Sequence, residues 1–243
     1  MCGIAGYLGP GSPELLEQML KTLAHRGPDD QGWTVEPGLG LGMTRLAIID
    51  RAGGRQPMAS PDGRRWLVFN GEIYNFRRLR EELAGRGHGF RTRSDTEVIL
   101  AAYAEWGPEA VERLEGMFAF ALWDGARREL LLARDRLGKK PLYYGLPGRE
   151  VVFASELRPL MIHPAVSRAV DPEALWRLLV MEAVPAPRAI LQGVRKVMPG
   201  GVVEWRDGEV REWFWYRLQP GGTGEDGPRS EGDAVARIER YAA

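Results

Sequence analysis

Four short apolar runs, Met117 to Trp123, Glu129 to Arg134, Leu142 to Tyr144 and Val151 to Ala154, follow one another with charged or glycine-bearing turns between them. Strands joined so closely leave no room for the crossover helix that a parallel pair requires, so this stretch predicts antiparallel sheet. Ile4 to Leu8, Gly40 to Ile49 and Trp66 to Phe69 read as further strands, the last running into Asn70-Gly71, a pair that favours a tight turn. Ser12-Pro13-Glu14 supplies an N-cap, a proline at the first helical position and an early acid. After it Leu15, Leu16, Met19, Leu20 and Leu23 fall on one helical face. That helix is expected to end before the turn His25-Arg26-Gly27-Pro28. Helices are also predicted over Phe76 to Ala84, over Asp95 to Trp106, and from Asp171-Pro172-Glu173 onward, where Leu175, Leu178 and Leu179 give an amphipathic pattern. Asp207-Gly208 marks a hairpin within Val202 to Tyr216. Together these elements define the α+β class, antiparallel sheets flanked by helices.

Composition narrows the partners. The 243 residues carry 33 lysines plus arginines and 33 aspartates plus glutamates, so no net field draws the protein to nucleic acid or to an anionic membrane. The single cysteine rules out an internal disulfide, and with three histidines beside it no structural metal site is expected. The N-terminal segment lacks a basic leader, and no apolar run is long enough to span a bilayer. The expectation is a soluble, cytoplasmic protein that acts on a small molecule or against another protein surface, with neither nucleic acid nor membrane as partner.

The sole cysteine is Cys2, and removal of Met1 would leave its thiol and a free α-amine on one residue. An α-amine titrates at about 7.7 to 8.0 and a cysteine thiol at about 8.5, so near neutrality the amine can take the thiol proton, directly or through water. Such a thiol suits acyl transfer, which also requires oxyanion donors and groups that orient the substrate. Asn70-Gly71-Glu72 offers a side-chain amide and an unobstructed glycine N–H for that role, or else only turns a hairpin. Arg45, leading into the apolar stretch Leu46-Ala47-Ile48-Ile49 of the same strand, is either a bidentate grip for a carboxylate or an ion-paired surface residue. Ser94-Asp95-Thr96-Glu97 reads as a capping box, in which Asp95 either complements the helix dipole or holds an ammonium group. Gly38, Gly40 and Gly42 lack the βαβ context of a dinucleotide loop. Gly138-Lys139-Lys140 lacks the upstream glycine and following hydroxyl of a phosphate loop, so no nucleotide site is indicated.

Taken in order, Met1-Cys2-Gly3-Ile4-Ala5-Gly6, His25-Arg26-Gly27-Pro28-Asp29, Arg45-Leu46-Ala47-Ile48-Ile49-Asp50, Asn70-Gly71-Glu72-Ile73-Tyr74-Asn75 and Ser94-Asp95-Thr96-Glu97 resemble the class II glutamine amidotransferase domain of glutamine-hydrolysing asparagine synthetases. Gly116 to Ala121, Arg134 to Gly138, Ala154 to Leu157, Val184 to Arg188 and Met198-Pro199-Gly200 match the same family, so the resemblance runs over residues 2 to 216. It implies the four-layer αββα sandwich of N-terminal-nucleophile hydrolases. It also implies that Cys2 attacks the side-chain amide of L-glutamine, with the Asn70 side chain and the Gly71 N–H as oxyanion hole. The substrate would lie along Arg45, Leu46, Ala47, Ile48 and Ile49, with Arg45 on its α-carboxylate and Asp95, with the Glu72 region, on its α-ammonium. Ala47, Ile48 and Met117 would suit either an ammonia passage or ordinary core packing.

The synthetase domain of that family, with a Ser-Gly-Gly-x-Asp-Ser pyrophosphate loop that activates aspartate with MgATP, has no counterpart in these residues. Residues 2–216 are therefore expected to form the glutaminase domain, 217–233 a linker, and 234–243 the first helix of a missing synthetase domain. The expected function is the glutaminase half of an asparagine synthetase, with no cofactor in this chain and MgATP used by a synthetase domain in cis or in trans. The alternatives are amidation of another acceptor (a sugar, peptide or antibiotic precursor) and a non-catalytic docking module.

Overall fold

Strand alternation sorts the apolar side chains into three layers of core, and those layers fix the architecture. The computed structural model describes residues 1–51, 53–219 and 230–242. The first sheet takes β1 (Gly3–Leu8), β2 (Asp30–Glu36), β3 (Leu39–Arg45), β8 (Tyr143–Gly145), β9 (Val151–Ala154) and β10 (Val194–Lys196), in the order β10-β8-β9-β1-β3-β2. The second takes β4 (Met58–Ala59), β5 (Arg65–Ile73), β6 (Gly116–Asp124), β7 (Glu129–Arg134), β11 (Gly201–Arg206) and β12 (Glu209–Phe214), in the order β12-β11-β7-β6-β5-β4. Every pair in both sheets is antiparallel.

Successive side chains of a strand point to opposite faces. Ile4 and Leu8 of β1, Leu41 and Met43 of β3, Val68 of β5 and Ala119 and Ala121 of β6 therefore meet in one buried layer between the sheets. Their alternates turn outward. Ala5 and Tyr7 of β1 and Val152 and Ala154 of β9 pack under Leu16, Met19 and Leu20 of α1 (Pro13–Lys21) and Leu160 of α4 (Leu157–Ile162). On the far side, Leu67 and Phe69 of β5 and Phe118 and Phe120 of β6 pack under Leu79 and Leu83 of α2 (Phe76–Gly85) and Val98 and Ala102 of α3 (Asp95–Trp106). Helix, sheet, sheet, helix is the four-layer α+β sandwich expected from the sequence.

Several predicted elements fall where the local signals put them. Ser12 caps α1 by accepting the Leu15 N–H at 3.2 Å, with Pro13 in the first turn. The Asp207-Gly208 hairpin joins β11 to β12. Other expectations fail for tertiary reasons. β3 stops at Arg45 instead of continuing to Ile49, because the Asp29 N–H binds the Arg45 carbonyl at 3.0 Å and the Asp29 carboxylate takes the Ala47 N–H at 2.9 Å, which draws the chain out of the sheet. Asn70-Gly71 makes no turn. Both lie inside β5, paired with Ala119 and Phe118, because β6 continues alongside to Gly116 and offers a ladder partner at every step. Ser94 caps α3 through the Thr96 N–H, but Glu97 does not close a capping box on Ser94. Its carboxylate reaches further back, to the N–H groups of Arg91 and Thr92 at 2.8 and 2.7 Å.

The helix α5 (Pro172–Met181) starts as predicted, with Asp171 accepting from Glu173 and Ala174, yet Ala174 is its one buried residue, and Leu175, Leu178 and Leu179 are exposed. Most of the stretch read as a linker, residues 220–229, lies outside the described residues. Beyond it α6 spans Glu231–Ala242. Among the described residues no helix is long and apolar enough to cross a membrane, and no group of histidine, cysteine and acidic side chains is arranged to hold a metal ion.

Candidate active site

The alternation that builds the inner core also brings the candidate residues together. Cys2 shares the parity of Ile4, Arg45 that of Met43, Asn70 and Glu72 that of Val68, and Met117 that of Ala119, so all five sit on the inter-sheet side of their strands. Gly3 lies opposite Thr44, and Ile73 opposite Gly116, so the start of β1 and end of β3 adjoin one another, as do the end of β5 and start of β6. A cavity of about 160 Å³ opens there. Of the residues singled out in the sequence, Cys2, Arg45, Leu46, Ile48, Ile49, Asn70, Gly71, Glu72, Asp95 and Met117 line it. Ala47 does not. Its N–H is held by the Asp29 carboxylate at 2.9 Å.

Cys2 is half-buried and is held from two directions. Its thiol donates to the Leu46 carbonyl at 3.6 Å and its sulfur accepts the Leu46 N–H at 3.4 Å, while Arg26 Nε donates to the Cys2 carbonyl at 3.0 Å. Burial pushes the thiol above its ordinary range. The Leu46 hydrogen bond, the chain's amino terminus, Arg45 and Lys140 each work against that rise without cancelling it. The thiol is thus protonated near neutrality and needs a base. No histidine lines the cavity.

The turn at residues 25–29 supports this geometry. Gly27 lies so close to β3 that a Cβ there would fall 2.2 Å from the Thr44 carbonyl carbon, so only glycine lets the turn pack against the strand end. Arg26 passes from the Cys2 carbonyl to Glu156, which it meets at 2.9 Å and which His25 also contacts. Arg45 is buried, and its guanidinium donates to the carbonyls of Ile49, Asp50 and Arg51 at 3.3, 2.9 and 2.8 Å, folding the stretch after β3 into a wall of the cavity.

Asn70 and Asp95 line the same cavity as the thiol. Asn70 is 1% exposed, and its Nδ2 has no hydrogen-bond partner among the described residues. A buried amide donor left unpaired costs about 1–3 kcal/mol, so such a group calls for a ligand, an ordered water or a catalytic role. Gly71 follows with no side chain because β6 leaves no room for one. A Cβ would come within 2.2 Å of the Met117 carbonyl oxygen. Asp95 accepts the Ile73 N–H at 3.0 Å, which ties the end of β5 to the start of α3. Desolvation raises its carboxyl above the usual carboxylate range, against the hydrogen bonds of Ile73 and Thr96. A substrate cation would offset that desolvation.

Two further cavity residues were not expected at this site from the sequence. Gln56 accepts the Phe69 N–H at 2.7 Å and donates to Thr96 Oγ1 at 3.2 Å, bridging β5 to α3. Lys140, on the loop between β7 and β8, is 6% exposed and reaches Met1 Sδ at 3.4 Å. Each arrives from a loop with no periodicity, so only the folded chain brings it to the site.

Comparison with known proteins places the chain in a family and a fold. A family model, the glutamine amidotransferase domain, matches residues 1–216. Asparagine synthetase (glutamine-hydrolyzing) 1 of Bacillus subtilis is 40% identical over 236 residues, which cover 93% of this chain and 37% of that protein. Amidase chry2 of Gibberella zeae is 35% identical over 234 residues, covering 89% and 34%. A solved structure, that of the allosteric regulatory enzyme of purine biosynthesis, gives a TM-score of 0.66 over 89% of this chain and 50% of its own at 22% identity, a likeness of fold. The fold and the family match define a class II glutamine amidotransferase domain. The chain belongs to the glutamine amidotransferase domain family and is related to the asparagine synthetases. It spans 37% of the length of the Bacillus subtilis relative and 34% of that of the Gibberella zeae one.

Proposed function

We propose that this domain hydrolyses L-glutamine to L-glutamate and ammonia through a thioester on Cys2. The observation that carries the reading is the unpartnered, buried Asn70 Nδ2 in the cavity that also holds the chain's only thiol. With Met1 removed, the α-amine of Cys2 accepts the thiol proton and Sγ attacks Cδ of the glutamine side chain. The negative charge that forms on the amide oxygen meets Asn70 Nδ2 and the Gly71 N–H. The tetrahedral adduct collapses by breaking the Cδ–N bond. The leaving nitrogen takes the proton back from the α-ammonium and departs as ammonia. Water then adds to the thioester, giving one proton to the amine, and glutamate leaves as the thiol is restored. Asp95 and Glu72 face the substrate ammonium, while Arg45 and the loop Leu46 to Ile49 receive its carboxylate.

The likeness to asparagine synthetases supports a use for the ammonia: amidation of aspartate, driven by MgATP in a synthetase domain joined in cis or supplied in trans, in the cytoplasm where a lone thiol stays reduced. A second reading, amide formation on a different acceptor, is favoured by the relative named as an amidase. The first test is glutamate release from glutamine by protein whose N-terminal residue is shown by mass to be Cys2. Turnover is expected, and Cys2→Ala is expected to lose it while remaining folded. Equal rates in the two proteins would end the thioester reading.

A further inference from the structure

Lys140 belongs to a segment, Gly138-Lys139-Lys140, that binds no phosphate in the mechanism above and has no role in it. Its backbone is fixed by Asp135, which accepts its N–H at 3.0 Å, and by Arg134 Nε, which donates to its carbonyl at 2.7 Å. The side chain is buried and lines the cavity beside Cys2. Among the described residues its ammonium group forms no ion pair, and its one side-chain hydrogen bond is to Met1 Sδ at 3.4 Å. Removal of Met1 takes that partner away and leaves the ammonium in the cavity that holds the new chain terminus. An ammonium without a carboxylate partner in such a cavity carries an uncompensated desolvation cost, so its presence there calls for a role.

Resting on the reading of Cys2 as an N-terminal nucleophile, we propose that Lys140 is an electrostatic positioning residue: its buried positive charge opposes a second one on the α-amino group of residue 2 and so keeps that amine free to accept the thiol proton. Like charges a few ångströms apart disfavour joint ionisation, and the same cation favours the thiolate that results. The other charged groups around Cys2 are each held by partners of their own, although Arg45 keeps its positive charge and opposes the rise of the thiol ahead of Lys140. Arg26, on the turn at residues 25–29, is paired with Glu156, which His25 also binds. Asp29 is bound to the Ala47 N–H, and Arg45 to three carbonyls at the end of β3. Asp95 at the start of α3 and Glu72 on β5 carry the opposite sign and would hold the amine protonated. Lys140 also opposes the burial that raises the thiol.

Cys2 is the only cysteine, so alkylation by iodoacetamide, followed by mass, reads its nucleophilicity without any turnover. In processed protein the alkylation rate is expected to rise with pH. In Lys140→Met that rise moves upward by about one pH unit, a roughly tenfold slower reaction at a fixed pH on the limb. Lys140→Arg, which keeps the charge, stays close to the wild-type profile. Lys140→Gln repeats the comparison if the methionine variant does not fold. The acid limb of kcat/KM for glutamate release shifts by the same amount. An unmoved limb, a loss equal at every pH, or an arginine variant that shifts like the methionine one would overturn the proposal. The alkylation profile stands even if the protein releases no glutamate, so failure of the glutaminase reading is distinguishable from failure of this one.

Discussion

Asn70 is a buried amide whose donor finds nothing to bond within the described residues, beside a thiol that burial keeps protonated. Such a pair stores its interactions for a state in which charge has moved. On the proposed mechanism, the amide has little to gain while the substrate carbonyl is neutral and much once its oxygen is anionic. Asn70→Ala is therefore expected to lower kcat by about 10²- to 10³-fold while KM moves only a few-fold, measured on glutamate release. A change confined to KM would assign Asn70 to ground-state binding instead. Arg45 acts in a different way, since its hydrogen bonds shape the wall on which the substrate carboxylate would rest.

Among the elements, α1 and α5 begin with the same device, a capping side chain ahead of proline, and end with opposite environments. Leu20 of α1 is fully buried against β1, while Leu179 of α5 is 76% exposed. Helical periodicity predicted an apolar face for both, but periodicity records which side chains share a face and not whether anything packs against it. Leu20→Ala is expected to cost about 2–5 kcal/mol, as large-to-small changes in a filled core do, whereas Leu179→Ala should change stability by less than about 0.5 kcal/mol. Urea unfolding of the two variants checks this. A large loss in the second would mean that α5 is covered in solution.

For the whole molecule, Glu156 joins parts of the chain that are far apart in sequence. It precedes α4 as the N-cap residue but makes no capping hydrogen bond, because its carboxylate meets Arg26 and His25, and Arg26 in turn holds the Cys2 carbonyl. Partial burial acts to raise the Glu156 carboxyl, and the hydrogen bonds of Arg26 and His25 outweigh it, leaving it below its usual range. A depressed folded value means that the stabilisation is complete above the unfolded carboxylate pKa of about 4.3 and is lost as pH falls through the lower folded one. The Tm of the wild type should therefore exceed that of Glu156→Gln near pH 6, with the gap closing below about pH 4. A gap that persisted into acid would place the stabilisation in packing and not in charge.

The sequence by itself determined where most elements lie and most of the motifs that meet at the cavity. The cap and face of α1, the bounds of α3 at Asp95 and Trp106, the strands Glu129–Arg134 and Val151–Ala154, and the ordered motifs around Cys2, Arg45, Asn70 and Asp95 were all legible, because each depends on near neighbours in the chain. Tertiary structure decided the rest. Asn70-Gly71 stays extended because β6 runs beside it, and a turn preference of order 1 kcal/mol yields to a continuous ladder. β3 ends at Arg45 because Asp29, sixteen residues earlier, takes the next hydrogen bonds. Gln56 and Lys140 join the cavity through loops whose local sequence encodes no direction. A cavity is made by residues distant in sequence, and their meeting follows from the packing of two sheets, which no single segment specifies.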